Sequence, residues 1–120
     1  MKFDENGLIT VIVQDYQNNE VMMFAHMNRE ADEKTLQGPH VTFWSRARKK
    51  IWVKGEESGH TQLVKEAYYD CDADALLIKV DPNVAACHEG YRSCFFRKIK
   101  KGESKVIAKK IFNPKETYKK

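Results

Sequence analysis

The chain is written in short β-branched and aromatic runs, each closed by glycine, proline, asparagine or a cluster of charge. That pattern constrains the fold more than any other feature. Short runs of this kind become strands, because branched and aromatic side chains suit a pleated, half-buried surface. Leu8 to Val13 reads as a buried strand, and Val21 to Met27 resumes after the turn residues Gln17 to Glu20, so the two predict a hairpin. Further strands are expected at Val41–Ser45, Ile51–Val53, Leu63–Tyr69, Ala75–Val80, Phe95–Ile99 and Lys105–Phe112, with Gly102 turning the last pair. One segment lacks this character. Asn28 can cap a helix from Arg29 to Gln37, with Glu30, Asp32 and Glu33 near its positive end and Gly38-Pro39 to stop it. Many strands and one clear helix predict an α+β fold, mostly antiparallel, with one or two short helices.

The chain has 120 residues, which is one domain's worth of polymer. Its longest apolar-rich stretch, Val21 to Met27, is too short to span a bilayer, and Met1 to Glu5 lacks the features of a secretory leader. A cytoplasmic protein with no membrane partner is the expectation. The net charge of +4 is unevenly placed. Residues 97–120 carry 10 basic and 2 acidic side chains, so the preceding body is mildly acidic. That counts against nucleic acid as the main partner. The lysine-rich end reads as a solvated, frayed tail from Asn113 onward. We divide the chain into a domain of residues 1–99 and a basic extension of residues 100–120.

Two stretches carry chemistry. Asp70-Cys71-Asp72-Ala73-Asp74 places carboxylates at every second position, on one side of an extended chain, with Cys71 on the other. Carboxylates are hard ligands that suit Mg²⁺. In a straight strand Asp70 and Asp74 would stand ~13 Å apart, so a shared ion requires a bend; an exposed edge of solvated aspartates fits the spacing equally well. Cys71, Cys87 and Cys94 can supply three soft ligands for Zn²⁺, leaving a fourth position for water, or be three unrelated thiols. Their odd number argues against a disulfide framework. His88 adjoins Cys87, and His60 follows Ser58-Gly59; either can move protons or simply pack.

The second stretch runs from Trp44 to His60. It mixes Arg46 and Arg48, the hydroxyls of Ser45 and Ser58, two tryptophans, Lys54, and the glycines 55 and 59. Guanidinium groups grip phosphate, indoles stack on bases, and glycines allow close backbone approach. A phosphorylated nucleotide site, an RNA-binding loop, and a core hairpin with solvated arginines all satisfy this composition.

Taken together these blocks resemble the phosphoribosyl-AMP cyclohydrolases, enzymes of the third step of histidine biosynthesis. The resemblance rests on Trp44-Ser45-Arg46-x-Arg48, Trp52-x-Lys54-Gly55-Glu56-x-Ser58-Gly59-His60, Asp70-Cys71-Asp72-x-Asp74, Cys87-His88 and Arg92-Ser93-Cys94, with Met27 to Ala31 at the helix start. It implies zinc on Cys71, Cys87 and Cys94, pooled between the subunits of a homodimer, and magnesium on Asp70, Asp72 and Asp74. For the substrate contacts, the residue types of the tryptophan-rich segment make Trp44, Ser45, Arg46, Arg48, Lys54, Glu56 and Ser58 the expected set. The resemblance also implies hydrolysis of the N1–C6 bond of a phosphoribosylated AMP by zinc-activated water; for the proton transfer, adjacency to Cys87 makes His88 the first expectation and His60 the second. Ala47 departs from the pattern, standing where these enzymes often carry serine. Residues 100–120 lie beyond the resemblance. Rival readings are a zinc-stabilised RNA-binding module and an inactive, zinc-linked dimer.

Overall fold

A computed structural model describes residues 1–82 and 85–117. Its elements, in chain order, are β1 (Ile9–Asp15), β2 (Val21–Met27), α1 (Arg29–Gln37), β3 (Thr42–Ser45), β4 (Lys50–Val53), β5 (Gln62–Tyr69), β6 (Ala75–Pro82), β7 (Arg97–Lys100), β8 (Glu103–Val106) and α2 (Pro114–Thr117). The main sheet runs β2-β1-β6-β5. Its β1–β2 and β5–β6 pairs are antiparallel hairpins, and β1 runs parallel to β6. The fold is thus α+β and mostly antiparallel, as the sequence predicts.

Alternation decides which sheet face is core. Ile9, Val11 and Val13 of β1 and Leu76, Ile78 and Val80 of β6 are buried on one face, with Val11 beside Leu76 and Val13 beside Ile78. Phe43, Met22, Met27 and Ala31 close over them. Each large side chain withdrawn from water in this way stabilises the fold by ~1.5–3 kcal/mol. The opposite face is left open. Register sets Phe24, Ile12, Leu77 and Tyr68 in one row across all four strands. Phe24 is 52% exposed and Tyr68 46%, an apolar stripe on the surface.

Local chemistry explains the helix. The Asn28 side chain accepts the Ala31 N–H at 2.8 Å, satisfying one of the unpaired donors of the first turn. Gly38 ends it at φ 74°, donating to the carbonyls of Lys34 and Thr35. Thr35 is fully buried; its Oγ1 accepts the Thr42 N–H at 2.9 Å and donates to the Thr42 carbonyl at 3.0 Å. That bond pair docks α1 onto β3.

The C-terminal third differs from expectation. The last strand ends at Val106, because β7 offers only the partners Arg97 to Lys100. Beyond it the chain runs irregularly to Asn113 and then forms α2, where a frayed tail was expected. Asn113 nucleates that turn: its carbonyl accepts from Glu116 and Thr117, and its side chain from Lys115. Residues 118–120 lie outside the described residues.

Candidate active site

The β3–β4 hairpin and the loop after it build one wall of a cavity of about 610 Å³. Register pairs Phe43 with Trp52 and Trp44 with Ile51. Phe43 is buried, and the Trp52 ring tilts against it at 5.1 Å. Trp52 therefore reaches both core and cavity, whereas Trp44 is half-buried and does not line the cavity. The tight connection between the strands is set by Lys49 at φ 53° and by the Ser45 hydroxyl, which accepts the Arg48 N–H at 3.1 Å. Ser45 and Arg48 thereby face the cavity.

Lys54, Gly55, Glu56 and Ser58 continue the wall. Gly55 turns the chain at φ 91°; a Cβ there would sit 2.5 Å from the Thr61 amide nitrogen. Only glycine fits that approach. Ser58 Oγ accepts the His60 N–H at 3.1 Å, which fixes the loop but leaves His60 outside the lining. His60 instead packs edge-on against Phe112, ring centres 4.6 Å apart. Burial, then the charge of Lys54, hold its imidazole below the usual histidine range, so it is neutral at physiological pH. His88 does line the cavity. Arg46 is exposed and outside the lining; its charge is felt by His26, whose pKa is lowered by burial first and by Arg46 second.

Lys54 is only 6% exposed, although lysine is among the residues least often buried. Its ammonium donates to the Ala86 carbonyl at 2.6 Å. Burial pushes its pKa down, while Cys94 and then Cys87 pull it back up. A buried cation thus stands beside two cysteines. Those two are mutual neighbours. Desolvation, then Cys87, push the Cys94 thiol up to about 12, with Lys54 opposing, even though Cys94 as a residue is exposed. The Cys94 thiol resists ionising because burial strips water from the thiolate and because it lies against Cys87. One soft divalent cation replacing their protons removes that cost, so the pair suits zinc. Cys71 is exposed in the turn after β5 and does not join them: among the described residues the one group of three or more possible metal ligands is Asp70, Asp72 and Asp74.

That acidic group is not an extended strand. The chain bends at Ala73 (φ 59°), and the Asp70 side chain accepts the amides of Asp74 and Ala75 at 3.0 and 3.2 Å. The bend brings the ligand oxygens within 4.8 Å of one another. Hydrogen bonding to Asp72, then to Asp70, lifts Asp74 to about 6. Asp70 is held low: desolvation, the largest single influence, pushes it up, but the amides of Ala75 and Asp74 and the side chains of Asp72 and Asp74 together outweigh it. Three carboxyl groups crowded in this way, one of them retaining a proton near pH 6, fit a hard cation such as Mg²⁺.

Sequence reasoning missed two parts of the site. Trp52, rather than Trp44, faces the cavity; pairing Phe43 with Trp52 across the hairpin would have given that choice. Pro114 and Lys115 also line it, and composition offered no signal for them.

Comparison with known proteins gives concordant results. The family model described as phosphoribosyl-AMP cyclohydrolase matches residues 23–96. A phosphoribosyl-AMP cyclohydrolase of Methanococcoides burtonii is 52% identical over 118 residues, 98% of this chain and 95% of that protein. One from Methanosarcina acetivorans is 54% identical over 114 residues, 95% of this chain and 92% of its own. A histidine biosynthesis bifunctional protein of Thermoanaerobacter pseudethanolicus is 49% identical over 98% of this chain, which spans 55% of that protein.

Proposed function

Since this chain belongs to the phosphoribosyl-AMP cyclohydrolase family, hydrolases of histidine biosynthesis, we propose that it opens the adenine ring of 1-(5-phosphoribosyl)-AMP by hydrolysing the N1–C6 bond. The observation that carries this reading is one cavity in which Ser45, Arg48, Trp52, Glu56, Ser58 and His88 meet, with His88 next in sequence to the buried Cys87.

The substrate defines the task. Its N1 substituent leaves the purine cationic, so C6 is electrophilic. Water adds at C6, the N1–C6 bond breaks, and N1 must take a proton as it departs. The product is an imidazole carboxamide bearing a formimino-linked phosphoribosyl arm. Cys87 and Cys94 would hold zinc, with Cys71 as the third thiolate. Zinc bound there supplies a Lewis acid that lets water ionise near neutral pH.

The chain's own groups do the rest. The Trp52 ring, fixed by Phe43, offers a flat surface against which the purine orients. Arg48 binds a phosphate bidentately. The hydroxyls of Ser45 and Ser58 and the Glu56 carboxylate address ribose and ring edges. His88 delivers the proton to N1 as the ring bond opens. Lys54, held by the Ala86 carbonyl, offsets the negative charge of the cysteine ligands. Asp70, Asp72 and Asp74 would hold magnesium, whose positive charge would offset that of the second phosphate.

A second subunit completes the arrangement. Cys71 lies apart from the Cys87–Cys94 pair within one chain, and the open stripe of Phe24, Ile12, Leu77 and Tyr68 is a surface that a homodimer buries. Both observations support zinc ligands drawn from two copies. No helix among the described residues is long and apolar enough to cross a membrane.

The test is an absorbance assay on 1-(5-phosphoribosyl)-AMP. Turnover that stops with a zinc chelator and returns with zinc is expected. Full turnover after zinc is stripped would overturn the zinc role, and no turnover by zinc-replete protein would overturn the activity. His88→Ala is expected to lower kcat at least ~100-fold. An unchanged kcat/KM would remove His88 from the chemistry.

A further inference from the structure

We propose that the C-terminal segment Phe112–Lys115 is a wall of the substrate cavity, in which Lys115 binds a phosphate group of the substrate together with Arg48. The inference rests on the ring-opening reading above and adds to it the region for which the sequence offered no role.

The path of the chain is the first observation. After Val106 it continues one step along the β7–β8 pairing, the Ile107 N–H donating to the Phe96 carbonyl at 2.9 Å. It then crosses the loop that carries Cys87 and His88, where the Ile111 N–H donates to the Gly90 carbonyl at 2.7 Å. The crossing is close. Gly90 sits at φ +105°, and a Cβ there would lie 2.7 Å from the Phe112 carbonyl oxygen. Any larger residue at position 90 would force the two backbones apart. Phe112 then seats its ring against His60, and Asn113 binds three following amides. The segment is therefore anchored at Gly90, at His60 and at its own turn. The result is that Pro114 and Lys115 stand in the cavity wall with Arg48, Trp52 and His88.

Charge is the second observation. A phosphate monoester carries about −1.5 to −2 at neutral pH. The cavity wall already holds the carboxylates of Glu56 and Glu57. Of its cations, Lys54 is buried and committed to the Ala86 carbonyl. Arg48 alone would leave the wall with more negative than mobile positive charge. Lys115, exposed and on a backbone fixed by Asn113, supplies the second cation that a phosphate needs.

The experiment compares full-length, zinc-loaded Lys115→Met, Lys115→Arg and Lys100→Met with wild type. Lys100 lies on β7, is exposed, and is outside this cavity, so its variant makes the same change in net charge elsewhere. Two quantities are read: KM and kcat for 1-(5-phosphoribosyl)-AMP, and Kd for AMP by calorimetry. Loss of one charge-assisted phosphate contact predicts that Lys115→Met raises KM and the AMP Kd about tenfold, with kcat within about twofold. Lys115→Arg should recover to within about twofold of wild type, and Lys100→Met should match it. Lys115→Met indistinguishable from Lys100→Met in both readings would overturn the proposal. A wild type that binds AMP without turning over the phosphoribosylated nucleotide would overturn the ring-opening reading alone, and the AMP comparison would still decide the role of Lys115.

Discussion

Arg92 ties the loop between Cys87 and Cys94 to the sheet, and its removal should cost stability. Asp15, at the end of β1, is 3% exposed. Its Oδ2 is paired with the Arg92 guanidinium, and its Oδ1 accepts the Gln17 N–H at 2.8 Å. Arg92 Nε also meets Glu20 at 2.9 Å, and the Arg92 carbonyl accepts the Ala86 N–H. Next along the chain, the Ser93 hydroxyl donates to the Val21 carbonyl, and the Cys94 N–H to the Met22 carbonyl at 2.8 Å. One arginine thus fixes a loop with a cysteine at each end against β1 and β2. Breaking a buried ion pair by removing one partner costs ~3–5 kcal/mol. The Arg92 side chain is 35% exposed, so water can reach the orphaned carboxylate, and the figure is discounted to ~2–3 kcal/mol. The exposed contact with Glu20 adds less than ~0.5 kcal/mol. Urea unfolding of zinc-free Arg92→Ala should report that loss, and the midpoint of thermal unfolding should fall by ~10 °C. Asp15→Asn combined with Arg92→Ala should lose less than the two single changes added together, with a coupling of at least ~1 kcal/mol. A loss below ~0.5 kcal/mol, or strict additivity, would refute the reasoning.

Gly55→Ala should destabilise by ~3 kcal/mol or more, because the residue must hold φ 91° and its Cβ meets backbone atoms of His60 and Thr61 inside 3 Å; a urea midpoint near wild type would contradict this. Asp32 is buried with an Oδ1 that has no partner, and burial, then Glu33, raise its pKa above the ordinary 3.8. An acid whose pKa is higher folded than unfolded penalises the fold when ionised: the penalty is absent below the unfolded value and grows as pH rises through the folded one. Asp32→Asn should therefore be more stable than wild type at about pH 7, with the difference fading toward about pH 3.5; a variant less stable at neutral pH would refute it.

Much of the fold was legible because it is encoded locally. The helix limits follow from Asn28 and Gly38, and β2 from an unbroken apolar run between turn residues. The parallel pairing of β1 with β6 was not, since an alternating strand does not say which neighbour it takes. The acidic cluster was half legible. Its residues were found, but period-two alternation was the wrong geometry: Asp70 caps its own turn through the amides of Asp74 and Ala75, and Ala73 adopts a positive φ that its side chain does not announce. Lys54 was read as a substrate contact, and its burial was not legible because it depends on Ala86, far along the chain. The C-terminal segment misled for a similar reason. A polar, lysine-rich end has the same composition whether it frays or is strapped down, and its anchors at Gly90 and His60 are long-range contacts.

The central claim is that Cys87 and Cys94 of one subunit and Cys71 of another hold the zinc on which turnover depends. Mixing two inactive variants, Cys71→Ser and Cys87→Ser, under conditions that let subunits exchange tests it most directly. Half of the exchanged dimers would be mixed, and each would carry one intact site. Activity and bound zinc should then return to about a quarter of wild type. No recovery from fully exchanged, folded dimers, or undiminished activity in either variant alone, would contradict the account.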